Sequence, residues 1–149
     1  MPEVDFTVEV CGMAGDGTIA AGALINEAMS HGGYSVMGFD SYPAEIRGFG
    51  RCVTNSRIGS SPIVALGEKI HALISLNDEQ ARSRVSSLAE HPFVFFDSNP
   101  PAYVHEDKSL LSVLPADAKV FGLPFTDLAA KSGGSARGRN LTALGGFTA

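Results

Sequence analysis

The chain has no tryptophan and only two cysteines, Cys11 and Cys52. Neither sits in a CxxC pair, so this stretch by itself supplies neither the thiolates of an iron–sulfur cluster nor a structural zinc site. Each lies in or beside a strand-like run, where a buried free thiol is the usual outcome, and a reduced, cytosolic protein is the expectation. His31, His71, His91 and His105 are dispersed without metal-ligand spacing. Dense Lys/Arg runs are missing and the formal net charge is −5, which removes the basic surface that nucleic-acid binding needs. No apolar run approaches the roughly 20 residues required to cross a bilayer, and the start of the chain lacks a signal-peptide pattern. No serine stands in a nucleophile-elbow pattern, so serine hydrolysis has no support.

What is present suits one compact domain. The 149 residues are 44% hydrophobic and 18% charged, a balance that allows a core and argues against disorder. Seventeen glycines and eight prolines are scattered without a period, implying many turns rather than a low-complexity chain. No internal repeat and no second domain is visible over 1–149.

Phe6–Cys11 is β-rich and ends at a glycine cluster, reading as a first strand. From Thr18 a run of good helix formers places Ala20, Leu24 and Ala28, with Ala21 and Ile25 alongside, on one apolar face, and the helix should stop at His31-Gly32-Gly33. Tyr34–Phe39 reads as a second strand, giving a βαβ unit with parallel strands. Arg51–Ile58, Ile70–Leu76, Phe93–Asp97 and Lys119–Leu123 read as further strands. Asn77 or Asp78 is placed to cap a helix over Glu79–Leu88, with Arg82 and Arg84 facing water. Phe93, Phe95, Phe96 and Phe121 read as core. Alternating elements predict an α/β fold, a Rossmann-like three-layer sandwich around a mostly parallel sheet. The pattern from Asn140 to Phe147 starts a helix and then stops at Ala149. It fits a piece truncated at its C-terminus or a short terminal helix.

Gly12-Met-Ala-Gly-Asp-Gly17 follows the first strand and opens the first helix. Glycine permits unusual backbone dihedrals and close approach of a ligand. The unpaired amides and dipole of a helix start favour an anion, usually a phosphate. Thr18 adds a hydroxyl beside them; Asp16 is expected to cap the helix start rather than touch phosphate. The spacing is G-x-x-G-x-G rather than G-x-G-x-x-G, and no Gly-Lys-Ser/Thr ending follows. Asp40 at the end of the second strand is placed to hold a ribose hydroxyl. A stand-alone dinucleotide or S-adenosylmethionine module therefore stays open as an alternative. Gly15-Asp-Gly17 alone does not make a thiamine site, since Tyr42-Pro-Ala-Glu45 replaces the asparagines such a site would need.

Ser41–Gly50 follows the second strand and, in a parallel sheet, leaves it on the same edge as the glycine loop, where open α/β sheets bind ligands. Arg47 in this loop offers a planar fork of donors to a phosphate, against the plainer reading of a surface pair with Glu45. Lys131, Arg137 and Arg139, in a Gly/Ser-rich setting, read as a solvated loop more readily than as an anion contact. Asn99-Pro-Pro-Ala-Tyr103 reads as a rigid turn.

Together, Gly-x-Ala-Gly-Asp-Gly, a helix, and then Tyr42-Pro-Ala-Glu-Ile-Arg-Gly48 resemble the γ domain of 2-oxoacid:ferredoxin oxidoreductases, enzymes acting on pyruvate, 2-oxoglutarate and related acids. The resemblance is strongest over Val8–Ile58 and returns at Arg139–Gly145. It departs from the family pattern where Phe49 separates Gly48 from Gly50. The resemblance implies a γ-type domain, not catalytic alone, that caps the active site of a cytoplasmic hetero-oligomer and helps bind coenzyme A. The implied coenzyme A contacts are Gly12, Ala14, Gly15, Asp16, Gly17, Thr18, Arg47, Gly48 and Asn140. Thiamine diphosphate, Mg2+ and [4Fe-4S] clusters are implied for thiamine-binding and ferredoxin-like partners, with ferredoxin or another acceptor taking the electrons. No catalytic or metal-binding residue is assigned to this chain, and neither nucleic acid nor membrane is expected as a partner.

Overall fold

A computed structural model of the chain describes residues 3–43, 50–99 and 109–149. Its elements, in chain order, are β1 (Asp5–Met13), α1 (Thr18–His31), β2 (Ser35–Ser41), β3 (Arg51–Gly59), β4 (Ile70–Ser75), α2 (Asp78–Arg82), β5 (Leu88–Asp97), β6 (Lys119–Leu123), α3 (Phe125–Gly133) and α4 (Arg139–Thr148). Among the described residues the strands form one six-stranded sheet in the order β2-β3-β1-β4-β5-β6. β1, β4, β5 and β6 pair in parallel, whereas β3 runs antiparallel to both β1 and β2. This is the α/β sandwich with a mostly parallel sheet that the alternation of elements predicts.

One expectation about its order changes. β1 and β2 do run the same way, as a βαβ unit requires, yet they are not neighbours. β3 lies between them, pairing residue for residue from Asp5↔Gly59 to Met13↔Arg51 on one side and from Ser35↔Gly59 to Ser41↔Val53 on the other. β1 is thus interior to the sheet and almost wholly buried. Alternate β1 residues serve two cores. Val8 and Val10 join Ala21, Ile25, Ile58 and Ala143 under α1 and α4. Cys11 joins Val53, Leu73, Ala81 and Leu110 on the face covered by α2. Gly22 of α1 is the close-approach point of the first layer, since a Cβ there would collide with the Thr54 side chain of β3.

The second layer is thinner than the sequence suggests. Asn77 caps α2, accepting from Gln80 N at 3.1 Å, but the helix ends at Arg82 rather than continuing to Leu88. A single 3-10 turn over Val85–Ser87 follows, and β5 already begins at Leu88. Arg84 accordingly does not face water: its guanidinium is bidentate to Glu9, with Nε 2.6 Å from Oε1 and Nη2 2.9 Å from Oε2. Arg82 donates to Ser109 O at 2.7 Å.

Phe121 also departs from its reading as core, because it is 42% exposed. It stacks on Phe95 at 4.9 Å and, with Phe93, Phe125 and Phe147, lines an apolar groove of about 610 Å³ beside the edge strand β6. No described helix is long and apolar enough to cross a membrane.

Candidate functional site

β1 ends at one rim of the sheet, and the glycine loop forms there. Asp16 N donates to Met13 O at 3.0 Å, and Met13 N donates to Asp16 Oδ2 at 2.8 Å. These reciprocal bonds close a tight turn with Ala14 and Gly15 exposed at its tip. Gly15 and Gly17 have φ of 95° and 78°, left-handed values that L side chains resist. Among the described residues, a Cβ on Gly15 would meet no atom within 4 Å, and the residue is exposed. Gly12 sits beneath, where a Cβ would stand 2.7 Å from Thr18 Oγ1.

Two roles expected for this loop change in detail. The N-cap of α1 is Gly17, with no side-chain cap bond. Asp16 therefore does not cap the helix; its carboxylate turns back onto the Met13 amide and onto Arg139. Thr18 Oγ1 is buried and has no hydrogen-bond partner among the described residues, and it packs under the loop against Gly12 rather than on the open side. The Ala14 amide is also engaged, donating to Gly50 O at 3.3 Å.

That last bond joins the glycine loop to the end of the neighbouring connection. Arg47 and Gly48 lie outside the described residues, as does Glu45. The two ends of the connection are described, and they meet: a Cβ on Gly50 would collide with the Pro43 ring. The connection thus leaves and re-enters the sheet at the rim that carries Ala14, as the parallel arrangement predicts.

Arg139 overturns its reading as part of a solvated loop. It is the first residue of α4 and is 4% exposed. Its Nη2 is 2.7 Å from Asp16 Oδ1, and its Nη1 is 3.8 Å from Asp97 Oδ2. Asp97 closes β5 and accepts from Thr126 N at 3.2 Å and Thr126 Oγ1 at 2.5 Å. Asn140, next along α4, donates from Nδ2 to Gly17 O at 3.2 Å, and its side chain fills the space a Gly17 Cβ would need. Gly12, Ala14, Gly15, Asp16, Gly17, Thr18 and Asn140 are therefore brought together, with Asn140 holding the loop's backbone. The signal for Arg139 in the sequence is its adjacency to Asn140 at a helix start.

Elsewhere, Asp40 is exposed, and its Oδ1 accepts from Thr54 Oγ1 at 2.8 Å. Both cysteines are free and buried, and burial pushes the Cys11 thiol up to about 12. Among the described residues no group of three or more His, Cys, Asp or Glu is arranged to hold a metal ion. His105 and most of the Asn99–Tyr103 turn lie outside the described residues.

Comparison with known proteins places this geometry. Residues 7–149 match the family model described as pyruvate ferredoxin/flavodoxin oxidoreductase. Among solved structures, the 2-oxoglutarate:ferredoxin oxidoreductase from Magnetococcus marinus, with 2-oxoglutarate, coenzyme A and succinyl-CoA bound, matches 95% of this chain at 24% identity and TM-score 0.79. The pyruvate oxidoreductase subunit PORC from Thermotoga maritima matches 96% at 19% identity and TM-score 0.75. The γ subunit of keto/oxoacid ferredoxin oxidoreductase from Geobacter sulfurreducens matches 97% at 23% identity and TM-score 0.76. This chain spans 23% of the Magnetococcus chain and 74% of each of the other two. No curated protein matches the sequence. At these identities the structures speak to the fold, while the family model covers nearly the whole chain: it belongs to the pyruvate ferredoxin/flavodoxin oxidoreductase family.

Proposed function

We propose that this chain is the γ component of a thiamine diphosphate- and iron–sulfur-dependent 2-oxoacid:acceptor oxidoreductase, where it helps bind coenzyme A and cover the active site. The observation that carries the reading is the meeting of the glycine loop with the Ser41–Gly50 connection at one sheet rim, joined by Ala14 N and Gly50 O at 3.3 Å. An exposed, left-handed Gly15 fits close approach by a phosphate to main-chain NH groups. With the Ala14 and Asp16 amides engaged inside the protein, the proposed donors are the amides of Gly15 and Gly17 and of the first turn of α1. Arg47, and the backbone at Gly48, would meet the phosphates from the second loop. Thr18 and Asn140 would shape the loop rather than touch the ligand.

Coenzyme A supplies the acyl-accepting thiol when bound, and this chain's part is to hold the phosphate end. Thiamine diphosphate, Mg2+ and [4Fe-4S] clusters are proposed for partner subunits or domains. Ferredoxin or a similar carrier is the proposed acceptor. The dinucleotide alternative loses support, because β2 is not the neighbour of β1.

The experiment is a steady-state comparison of the assembled oxidoreductase with its Arg47→Ala form. Loss of a phosphate-binding guanidinium should raise the KM for coenzyme A about tenfold or more, with the KM for the 2-oxoacid unmoved. An unchanged coenzyme A KM rejects the role of Arg47.

A further inference from the structure

We propose that Arg139 is the internal counter-ion that lets an acidic glycine loop receive an anion, and is thus a positioning residue for coenzyme A; the proposal rests on the reading of that loop given above. The difficulty it answers is visible in the geometry. The loop that would accept phosphates contains a carboxylate, Asp16, whose side chain is 7% exposed. A buried carboxylate within the turn opposes an incoming anion, and the low-dielectric surroundings amplify the repulsion. Asp16 is nevertheless needed where it is, because its Oδ2 accepts from the Met13 amide at 2.8 Å and closes the turn.

Arg139 resolves this conflict. Its guanidinium is 5% exposed and puts Nη2 2.7 Å from Asp16 Oδ1, the oxygen not used by Met13. Each oxygen of Asp16 thereby has its own donor, and the charge is compensated within the protein. The geometry also fixes where Arg139 can stand. Nη1 faces Asp97 Oδ2 at 3.8 Å, and Asp97 is tied to the start of α3 through both the amide and the hydroxyl of Thr126. Next to Arg139, Asn140 donates to Gly17 O at 3.2 Å. The opening turn of α4 therefore grips the loop twice, at the Asp16 charge and at the Gly17 carbonyl. Lysine would keep the charge but not the fork that reaches two carboxylates.

The test uses the assembled oxidoreductase with coenzyme A as the probe, comparing wild type, Arg139→Met, Arg139→Lys, the double variant Arg139→Met/Asp16→Asn, and Gly15→Asp as a reporter of the loop itself. Arg139→Met should raise the coenzyme A KM about tenfold or more, with kcat at saturating coenzyme A and the 2-oxoacid KM within about twofold. Arg139→Lys should fall between. Neutralising Asp16 in the double variant should bring the coenzyme A KM back to within about threefold of wild type, which a purely structural role for Arg139 would not do. A raised coenzyme A KM in Gly15→Asp with none in Arg139→Met overturns this inference and leaves the loop reading standing. No change in either variant overturns the loop reading as well. Should Arg139→Met fail to assemble, the double variant decides: a coenzyme A KM near wild type supports the proposal, and one raised about tenfold overturns it.

Discussion

Two arginines are drawn into this small domain to meet buried carboxylates, and they do so on different terms. Arg84 forms a closed bidentate pair with Glu9, which has no exposure at all, in the middle of β1. Asn55 adds one more donor, its Nδ2 3.1 Å from Glu9 Oε2. Arg139 instead bridges two acids that belong to different segments, the glycine loop and the end of β5. The first cluster joins the short α2 connection to the sheet. The second joins three pieces, a turn and two helix starts, at the rim where a ligand would arrive. Similar chemistry thus serves stability in one place and the shape of a binding edge in the other.

The comparison is sharpest if the Glu9 cluster is broken. Arg84→Met leaves a fully buried carboxylate without its counter-ion, which costs about 3–5 kcal/mol of stability, measured by urea or thermal unfolding. The coenzyme A KM of whatever complex assembles should stay put. A shift like that expected for Arg139→Met would erase the distinction between the clusters.

Per pH unit, a smaller effect comes from Cys11, on the same face and close enough for Glu9 to add to its shift. Burial is the main cause, raising the thiol from an ordinary 9.0 to about 12. Below about pH 9 folded and unfolded chains both hold the proton. Above it the unfolded chain ionises first, so stability falls as pH rises from about 9 towards 12, by up to about 1.4 kcal/mol per pH unit. Cys11→Ala should remove this component from a plot of unfolding free energy against pH, and the folded protein should resist thiol alkylation at pH about 8. The smallest effect belongs to the cap of α2: Asn77→Ala should destabilise by about 1 kcal/mol without altering coenzyme A dependence.

Much of this was legible before any coordinates. The β-rich run into a glycine cluster and then a helix-forming stretch announces β1, the loop and α1, because each step has its own local chemistry. The meeting of the two loops at one rim follows from strand direction alone. The insertion of β3 between β1 and β2 does not, since β2 and β3 are joined by a long connection rather than a two-residue hairpin with a turn signature. Arg139 was hidden for a different reason. Its glycine- and serine-rich surroundings resemble a solvated loop, and only the folded chain brings Asp16 and Asp97 to it. Glu9 carries no such signal either: an acid alternating with valines on a strand is drawn inside only because the strand proves to be interior, with cover on both sides.

The residue-for-residue pairing of β1 with β3, running unbroken to Met13↔Arg51, acts as a ruler for the whole edge. Because side chains alternate along a strand, slipping this ladder by a single position would swap every buried Val, Glu and Cys of β1 to the wrong layer. Spacing between the glycine turn and the incoming Gly50 is therefore set by the ladder: a one-residue insertion inside either strand would shift one rim against the other and turn the core side chains beyond it to the wrong face.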